Sequence, residues 1–484
     1  MGWRHVLVLS LLLGGAAAGC TSREKDAAPG PIERLNTQPG TLGRFTFPYY
    51  TAIHALPGGG AIAVWMRQEE QFRPLVSRRA GDATGVFGEE SYLSPEDLRQ
   101  TISILPKVLG GQSPGELFAI WQARQPTSGN KFVVFRRSQD GGASWGTAHR
   151  VNSEPTAFIP ALAADPDGAI YAVWTDERAN GIKVYFNRSL DRGETWMAAD
   201  LRVDGGGERP GAAISASVAS DGAGQVVVVW EEQAKKGRRV HAVSSQDRGA
   251  TWSQPSTVDD DTDPYSPSAP AVAFASGRAV ALWTTAASGL AARLWADSSA
   301  DGGRTWGTDV LVQETTKGVP PRAHLVSDGQ TARAVFHAGL LQGSWHIYYA
   351  ETGPDGSWSA LGDALPRVSQ GEGKFANPRL AVASAGDLYV AYEEDRRRIM
   401  LNRSTDGGKS WGAAPLVIDA VGEGEAEAKA KAIVRYPQVA VGDGVAYVMW
   451  EGWAETAGSF RSLAETETKI LPSDLFVRRV TFRR

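Results

Sequence analysis

Short apolar runs that end in an aromatic residue recur along the chain at a nearly constant interval. The terminal aromatics are Trp65, Trp121, Trp174, Trp230, Trp283, Phe336, Tyr392 and Trp450, separated by 56, 53, 56, 53, 53, 56 and 58 residues. A period of that size is the mark of a repeat architecture. The pattern inside one unit is all β. In the third, IPALAA (159–164) predicts a first strand, DPDG (165–168) a turn, and AIYAVW (169–174) a buried second strand. DERANG (176–181) predicts a loop, and KVYFNRS (183–189) alternates as a half-buried third strand does, with a short outer strand ending near Val203. Four antiparallel strands in some fifty residues make a propeller blade, so the pattern predicts an eight-bladed β-propeller.

A second motif gives its own count. SQDGGASW (138–145), SLDRGETW (189–196), SQDRGATW (245–252), SADGGRTW (299–306) and STDGGKSW (404–411) share the spacing Ser-x-Asp-x-Gly-x-Ser/Thr-Trp. Weaker copies stand at AGDATGVF (80–87) and TGPDGSW (352–358). Asp140, Asp191, Asp247, Asp301 and Asp406 would tie a hairpin by accepting backbone N–H groups. Gly two residues on permits positive φ, and Trp145, Trp196, Trp252, Trp306 and Trp411 would bury their rings. A role repeated in nearly every blade is architectural, and the spacing is not that of a calcium loop. These segments resemble the bacterial neuraminidase repeats, or Asp boxes, of sialidases and related propellers. The resemblance runs over nearly all of the chain after residue 32. It implies the propeller fold but speaks weakly to activity, since such sialidases have six blades and other Asp-box proteins have more blades and no glycosidase activity.

The eighth unit has no such motif and ends in DLFVRRVTF (474–482), a third strand without a fourth. Ile32-Glu33-Arg34-Leu35-Asn36 resembles the outer-strand segment His149-Arg150-Val151-Asn152. The N-terminal segment is therefore expected to complete the last blade, closing the ring and leaving few sheet edges. Residues 1–19 have the layout of a secretory signal: Arg4 and His5, an apolar run to Leu13, then small residues. Cys20, the single cysteine, follows Ala17-Ala18-Gly19, which resembles a lipobox and implies a lipid attached at Cys20. Residues 20–31 read as a lipidated tether and 32–484 as the propeller. A secreted, lipid-anchored protein of a bacterial cell envelope is the expected setting, in the outer membrane or periplasm of a Gram-negative cell, with the membrane met only through that anchor and the chain a monomer.

Composition narrows the chemistry. The 484 residues are 42% apolar and 21% charged, with 55 glycines and 16 tryptophans. A net charge of −4 implies no attraction to nucleic acid. No His/Cys metal cluster, strand-to-helix Gly-rich loop or Gly-x-Ser-x-Gly elbow occurs, so no metal or cofactor is expected. His54, His324 and His337 fall in strands and read as packed.

Sialidase likeness implies three arginines for the substrate carboxylate, a Tyr–Glu nucleophile pair and an acid/base Asp. The family's Arg-Ile-Pro is absent; Arg44-Phe45-Thr46-Phe47-Pro48 has the wrong spacing. Arg322 and Arg379 each follow a proline at the start of a first strand, and Arg435-Tyr436 precedes Pro437 in the next blade. These residues either gather near the axis as an anion pocket or are unrelated rim residues. Acids recur just after the second-strand aromatic: Asp176 and Glu177, Glu231 and Glu232, Glu393 to Asp395, and Glu451. They are expected on exposed loops of the face opposite the Asp boxes. Tyr436, Glu393 and Asp176 are the catalytic candidates; Arg322, Arg379, Arg435, Tyr436 and Glu231 are the ligand candidates. Two insertions mark the last blade: Val421–Ala432, an expected short helix, and Trp453–Pro472, an expected long loop. The first expectation is a non-catalytic propeller binding a glycan or a protein; the second is an exo-sialidase-like glycoside hydrolase.

Overall fold

Each of the eight repeating aromatics is buried on the second strand of a sheet, none more than 3% exposed. A strand shows alternate side chains to opposite faces, so one face packs on the sheet before it and the other on the sheet after it. Trp121 lies in one apolar cluster with Ile62 and Val64 of the preceding sheet, while Phe118 and Ile120 face the other way, onto Ile170, Ala172 and Trp174 of the next. Eight such clusters join eight successive sheets in a cycle, and the last of them puts Trp65 against Val445, Tyr447 and Met449. The computed structural model is an eight-bladed β-propeller, with blades at 51–92, 102–150, 157–202, 212–257, 267–316, 323–351, 375–417 and 432–482. It describes residues 27–36, 51–179, 181–206, 211–234, 237–260, 266–286, 291–358, 365–419, 432–454 and 474–482. Only two short 3-10 turns interrupt the β structure of these residues.

The ring closes with strand Ala27–Arg34 pairing antiparallel to Asp474–Phe482, Ile32 opposite Arg478. Asn36 extends the seam: its amide donates to Asp474 (2.8 Å) and its carbonyl oxygen accepts the Leu475 N–H (2.9 Å). The closing strand begins at Ala27, inside the segment expected to be tether. Cys20, the signal layout, Arg44 and most of the two insertions lie outside the described residues. Ala432 and Trp453, placed by sequence in those insertions, are strand residues.

Two strand expectations are corrected. In blade 3 the second strand runs on to Ala179 and the third starts at Gly181, so most of DERANG is ladder rather than loop. In blade 6 the described outer edge is not a full strand; it consists of a bridge between Tyr348 and Arg367 with the Val368 N–H donating to Ile347.

The five Ser-x-Asp turns share one hydrogen-bond scheme. In the first, Asp140 accepts the Ser138 hydroxyl (2.8 Å) and the Ser144 N–H (2.9 Å), while Ser138 Oγ accepts the Gly142 N–H (2.8 Å). The glycine has a second reason beyond its φ. A Cβ on Gly193 would lie 2.1 Å from the Phe135 ring of the blade before it, and Gly408 meets Tyr349 the same way. Trp196 packs edge-on to the same Phe135 ring at 5.1 Å, so the turn docks one blade on its neighbour.

Blade 5 differs from blades 3 and 7 at one polar position. The Asn187 and Asn402 amides donate to backbone carbonyls ten residues on, Met197 and Gly412. Blade 5 has Asp297 there, accepting the Ser298 and Gly307 N–H groups through Oδ1. Its buried Oδ2 has no hydrogen-bond partner among the described residues. Burial, with the charges of Asp309 and Asp260 behind it, pushes Asp297 up to about 7. A carboxyl raised on folding favours the protonated native state, so its stabilising effect is present at acid pH and is lost between about pH 4 and 7. Asp297→Asn restores the donor. We expect it to raise stability at pH 8 by about 1–4 kcal/mol and to change little at pH 4. Urea unfolding at the two pH values reads this; equal effects at both would show that Asp297 is ionised and accommodated.

Candidate functional site

First strands enter the ring at the end opposite the Ser-x-Asp turns, and in six blades they carry a bulge there. The bulged residues, Leu105, Ile159, Ser215, Ala269, Asn377 and Tyr436, have φ between 46° and 60°. For a non-glycine residue this conformation costs about 1–2 kcal/mol. At three of the six bulges the residue just after the second-strand aromatic of the preceding blade meets the strain. Gln122 accepts the Ile159 N–H (3.2 Å), Glu231 accepts the Ala269 N–H (2.9 Å), and Glu393 is hydrogen-bonded by the Tyr436 N–H.

This corrects the expectation of an exposed acidic rim. Asp176, Glu231, Glu232, Glu393 and Glu451 are buried; Glu177 and Asp395 are exposed. Asp176 is held by Arg178, Thr156 and the Trp174 Nε1–H (3.1 Å) within blade 3, and Glu231 pairs with Arg238 at 2.8 Å. Neither reaches the cavity described next.

Between blades 6, 7 and 8 the same end of the ring opens into a cavity of about 570 Å³. Its walls bring together Arg322, Glu393, Arg435 and Tyr436 from the sequence candidates. They also include Asp395, named among the recurring acids, and Trp345, Lys374, Asn377 and Arg396, which the sequence reading did not single out. Arg396 sits three residues past Glu393 in the turn between second and third strands, and that offset was its one available signal. Arg379 is absent from the cavity lining.

The polar groups form a connected set. Asn377 bridges Arg322, whose Nη1 donates to its Oδ1 at 3.5 Å, and Glu393, which accepts its amide. The second carboxylate oxygen of Glu393 is buried with no hydrogen-bond partner among the described residues. Burial raises Glu393 above the usual carboxylate range, and the nearby Arg435 and the Asn377 bond only partly oppose this. Burial also raises the Tyr436 hydroxyl; Arg435, which hydrogen-bonds it, pulls the other way, Glu393 adds to the rise and Arg322 opposes it. Arg396 is depressed by burial and by Arg435 beside it, with Glu393 opposing. Glu451, across the ladder from Arg435, is pushed by burial up to about 8 and therefore does little to neutralise that arginine near pH 7. Trp345 forms a wall between the His337 ring, stacked at 5.8 Å, and the Lys374 ammonium, 5.6 Å from its centroid. His337 is driven down to about 4 by burial and by Arg322, so it is neutral. Four cations therefore face two carboxylates, one of them displaced toward its neutral form. No group of three or more His, Cys, Asp or Glu side chains among the described residues is arranged to hold a metal ion.

No protein-family model matches the chain, and no curated protein matches it either. Solved structures do. A protein of unknown function from Dyadobacter fermentans is 14% identical, with 95% of this chain and all of that one covered and a TM-score of 0.39. The Hadza microbial sialidase Hz136 is 13% identical over 88% of this chain and 94% of its own, TM-score 0.39. The Trypanosoma rangeli sialidase in complex with the inhibitor DANA is 14% identical over 69% of this chain and 56% of its own, TM-score 0.36. Likenesses at these scores lend nothing to the assignment of an activity, which rests on the cavity alone.

Glu393 supports both the bulge and the cavity wall. Glu393→Ala strands the Asn377 amide and the Tyr436 N–H, and should cost about 2 kcal/mol in chemical denaturation. Glu393→Gln keeps an acceptor there and should cost less than half as much. Equal losses would mean that the carboxylate's charge, rather than its hydrogen bonds, holds the bulge.

Proposed function

We propose that the cavity between blades 6, 7 and 8 binds a sugar carrying a carboxylate, as part of an acidic glycan, and that the protein is a recognition propeller. The observation that carries this reading is the convergence of Arg322, Arg396 and Arg435 on one cavity. Guanidinium forks match a carboxylate in geometry as well as charge. Among the described residues, neither Arg322 nor Arg396 makes an ion pair, so the site holds cationic charge that a ligand anion would answer. The Trp345 and Tyr436 rings line the same cavity, and its volume is that of a small-ligand pocket. The Asp-box character of the turns belongs to the same reading. So does the setting: the layout of residues 1–20 supports export and a lipid on Cys20, which would hold a monomeric propeller at a bacterial envelope surface with its ligand in the surrounding medium.

One observation favours a second reading. The Tyr436 hydroxyl lies within the influence of Arg435, Glu393 and Arg322, a set suited to a tyrosine nucleophile with a carboxylate partner. Under that reading Tyr436 attacks the anomeric carbon and gives its proton to Glu393, while the glycosidic C–O bond breaks and Asp395 protonates the departing oxygen.

Calorimetric titration of the purified chain with N-acetylneuraminic acid and glucuronic acid, against glucose and galactose, separates these outcomes. We expect binding of an acidic sugar and none of the neutral ones, weakened at least tenfold by Arg322→Ala or Arg435→Ala. Equal affinity for neutral sugars, or silence toward every acid, would end the proposal. Release of fluorophore from a fluorogenic sialoside, abolished by Tyr436→Phe, would establish the enzyme reading in its place.

A further inference from the structure

In blades 3 and 7 an asparagine near the end of the third strand ties its blade to the one before. In blade 3 it is Asn187, whose Oδ1 accepts the Arg188 (2.7 Å) and Met197 (3.0 Å) N–H groups. Its amide nitrogen donates to three oxygens: Val151 O, just past the outer strand of blade 2 (3.0 Å), Met197 O (3.1 Å) and Asp200 Oδ1 (3.3 Å). Blade 7 repeats the arrangement, with the Asn402 nitrogen donating to Val368 O (2.7 Å) and Gly412 O (3.0 Å).

Blade 5 keeps this frame bond for bond. Asp297 Oδ1 accepts the Ser298 (2.6 Å) and Gly307 (3.0 Å) N–H groups, as Asn187 Oδ1 accepts those of Arg188 and Met197. The Val258 N–H donates to Val240 as the Val151 N–H donates to Val133. Asp309 Oδ2 accepts the Asp260 N–H at 2.9 Å, as Asp200 Oδ2 accepts the Ser153 N–H. Asp297 Oδ2 therefore takes the place of a donating nitrogen and faces the oxygens of Val258, Gly307 and Asp309. Asp297 is 2% exposed. Its Oδ2 and the Asp309 Oδ1 are both buried without a hydrogen-bond partner among the described residues. The Asp309 N–H donates back to Asp260 (2.9 Å), which fixes Asp309 in that position. Arg239 of blade 4 bonds Asp259 (2.7 Å) rather than either of these oxygens.

Oxygens gathered round one point with no donor among them repel one another. A proton on Asp297 would serve one of these contacts; a cation would serve all of them. We propose that Asp297 and Asp309, with the main-chain oxygens of Val258 and Gly307, form a site for a hard divalent cation of the calcium type at the seam between blades 4 and 5. The donors are oxygen only, two carboxylates and two carbonyls, and calcium fills the rest of its roughly six to eight positions with water. Asp260 and Gly307 are exposed, so solvent reaches the edge of the cluster. Asp301 of the adjoining turn takes no part, since its carboxylate holds the Ser299 and Thr305 hydroxyls at 2.7 Å each. The cation would join two blades where blades 3 and 7 use an asparagine amide.

The test uses the full chain, stripped of metal with EDTA and dialysed at pH 8. Thermal melts are followed across a calcium chloride titration at constant ionic strength, with magnesium chloride as the reference. With two carboxylates the dissociation constant should be about 0.1–1 mM, and a calcium concentration of about 10 mM should raise the melting temperature by about 2 °C. Magnesium, which demands a stricter geometry and gives up its water reluctantly, should raise it less. Asp297→Asn reproduces the amide of Asn187 and should fold; it should lose calcium affinity at least tenfold and melt higher than its parent in EDTA. Asp309→Asn should weaken calcium to a similar degree. A calcium response no larger than that of magnesium, unchanged calcium affinity in Asp297→Asn, or a lower melting temperature for that variant in EDTA would each overturn the assignment. The cation site lies at the Ser-x-Asp end of the ring and the sugar cavity at the other, so either proposal can fail without the other.

Discussion

Everything in this molecule depends on one packing event, repeated eight times: the aromatic at the end of a second strand inserts against the sheet before it. Each buried ring excludes water from an inter-blade seam, and burying such a side chain is worth about 1.5–3 kcal/mol. A seam needs a neighbour on each side, so an open array would leave one apolar face bare at each end. Trp65 against Tyr447 and Met449 removes that exposure by joining the last blade to the first. The strand from Ala27 to Arg34 then fastens the same seam through backbone pairing, which puts the two ends of the chain into one sheet.

The polar architecture follows from that stacking. Blades that meet face to face near an axis crowd their first strands, and in six of them the strand bulges into left-handed backbone at a residue other than glycine. Acceptors such as Gln122, Glu231 and Glu393 take up the displaced N–H groups from the blade before. At Gln122 and Glu231 this device is occupied by structure. Between blades 6 and 8 it is altered: His337 stands where blades 2, 4 and 7 place Gln or Glu, blade 6 has no matching bulge in its described ladder, and the bulged residues of blades 7 and 8 are Asn377 and Tyr436. The candidate cavity occupies the sector where the repeat has drifted, with functional groups mounted on a strained but braced strand entrance.

Charge is distributed with the same logic. On the Ser-x-Asp face, carboxylates such as Asp247 sit among N–H and hydroxyl donors that hold them down to about 2, fixed as acceptors in tight turns. At the opposite end, Glu393 and Glu451 are drawn upward by burial, so the arginines beside them keep much of their field. One end of the ring consumes its charges in turns; the other leaves positive charge facing solvent.

Periodicity alone determined the blade count, the all-β class, the second-strand aromatics and the origin of the closing strand, because strand alternation and a fixed repeat length are written residue by residue. Turn chemistry was legible for the same reason: Ser, Asp and Gly act on backbone within four residues of themselves. Sequence also singled out Arg322, Arg435, Tyr436 and Glu393, through their places beside prolines and aromatics, but could not separate them from Arg379, Asp176 and Glu231, which occupy like places in other blades. That separation depends on which blade stands next to which and on the bulge that sets where each side chain points. Contacts between residues more than fifty positions apart, such as Asn377 with Arg322 or Leu380 with His324, exist only once the ring has closed, and it is the closed ring that turned scattered arginines into a cavity and an acidic rim into buried braces.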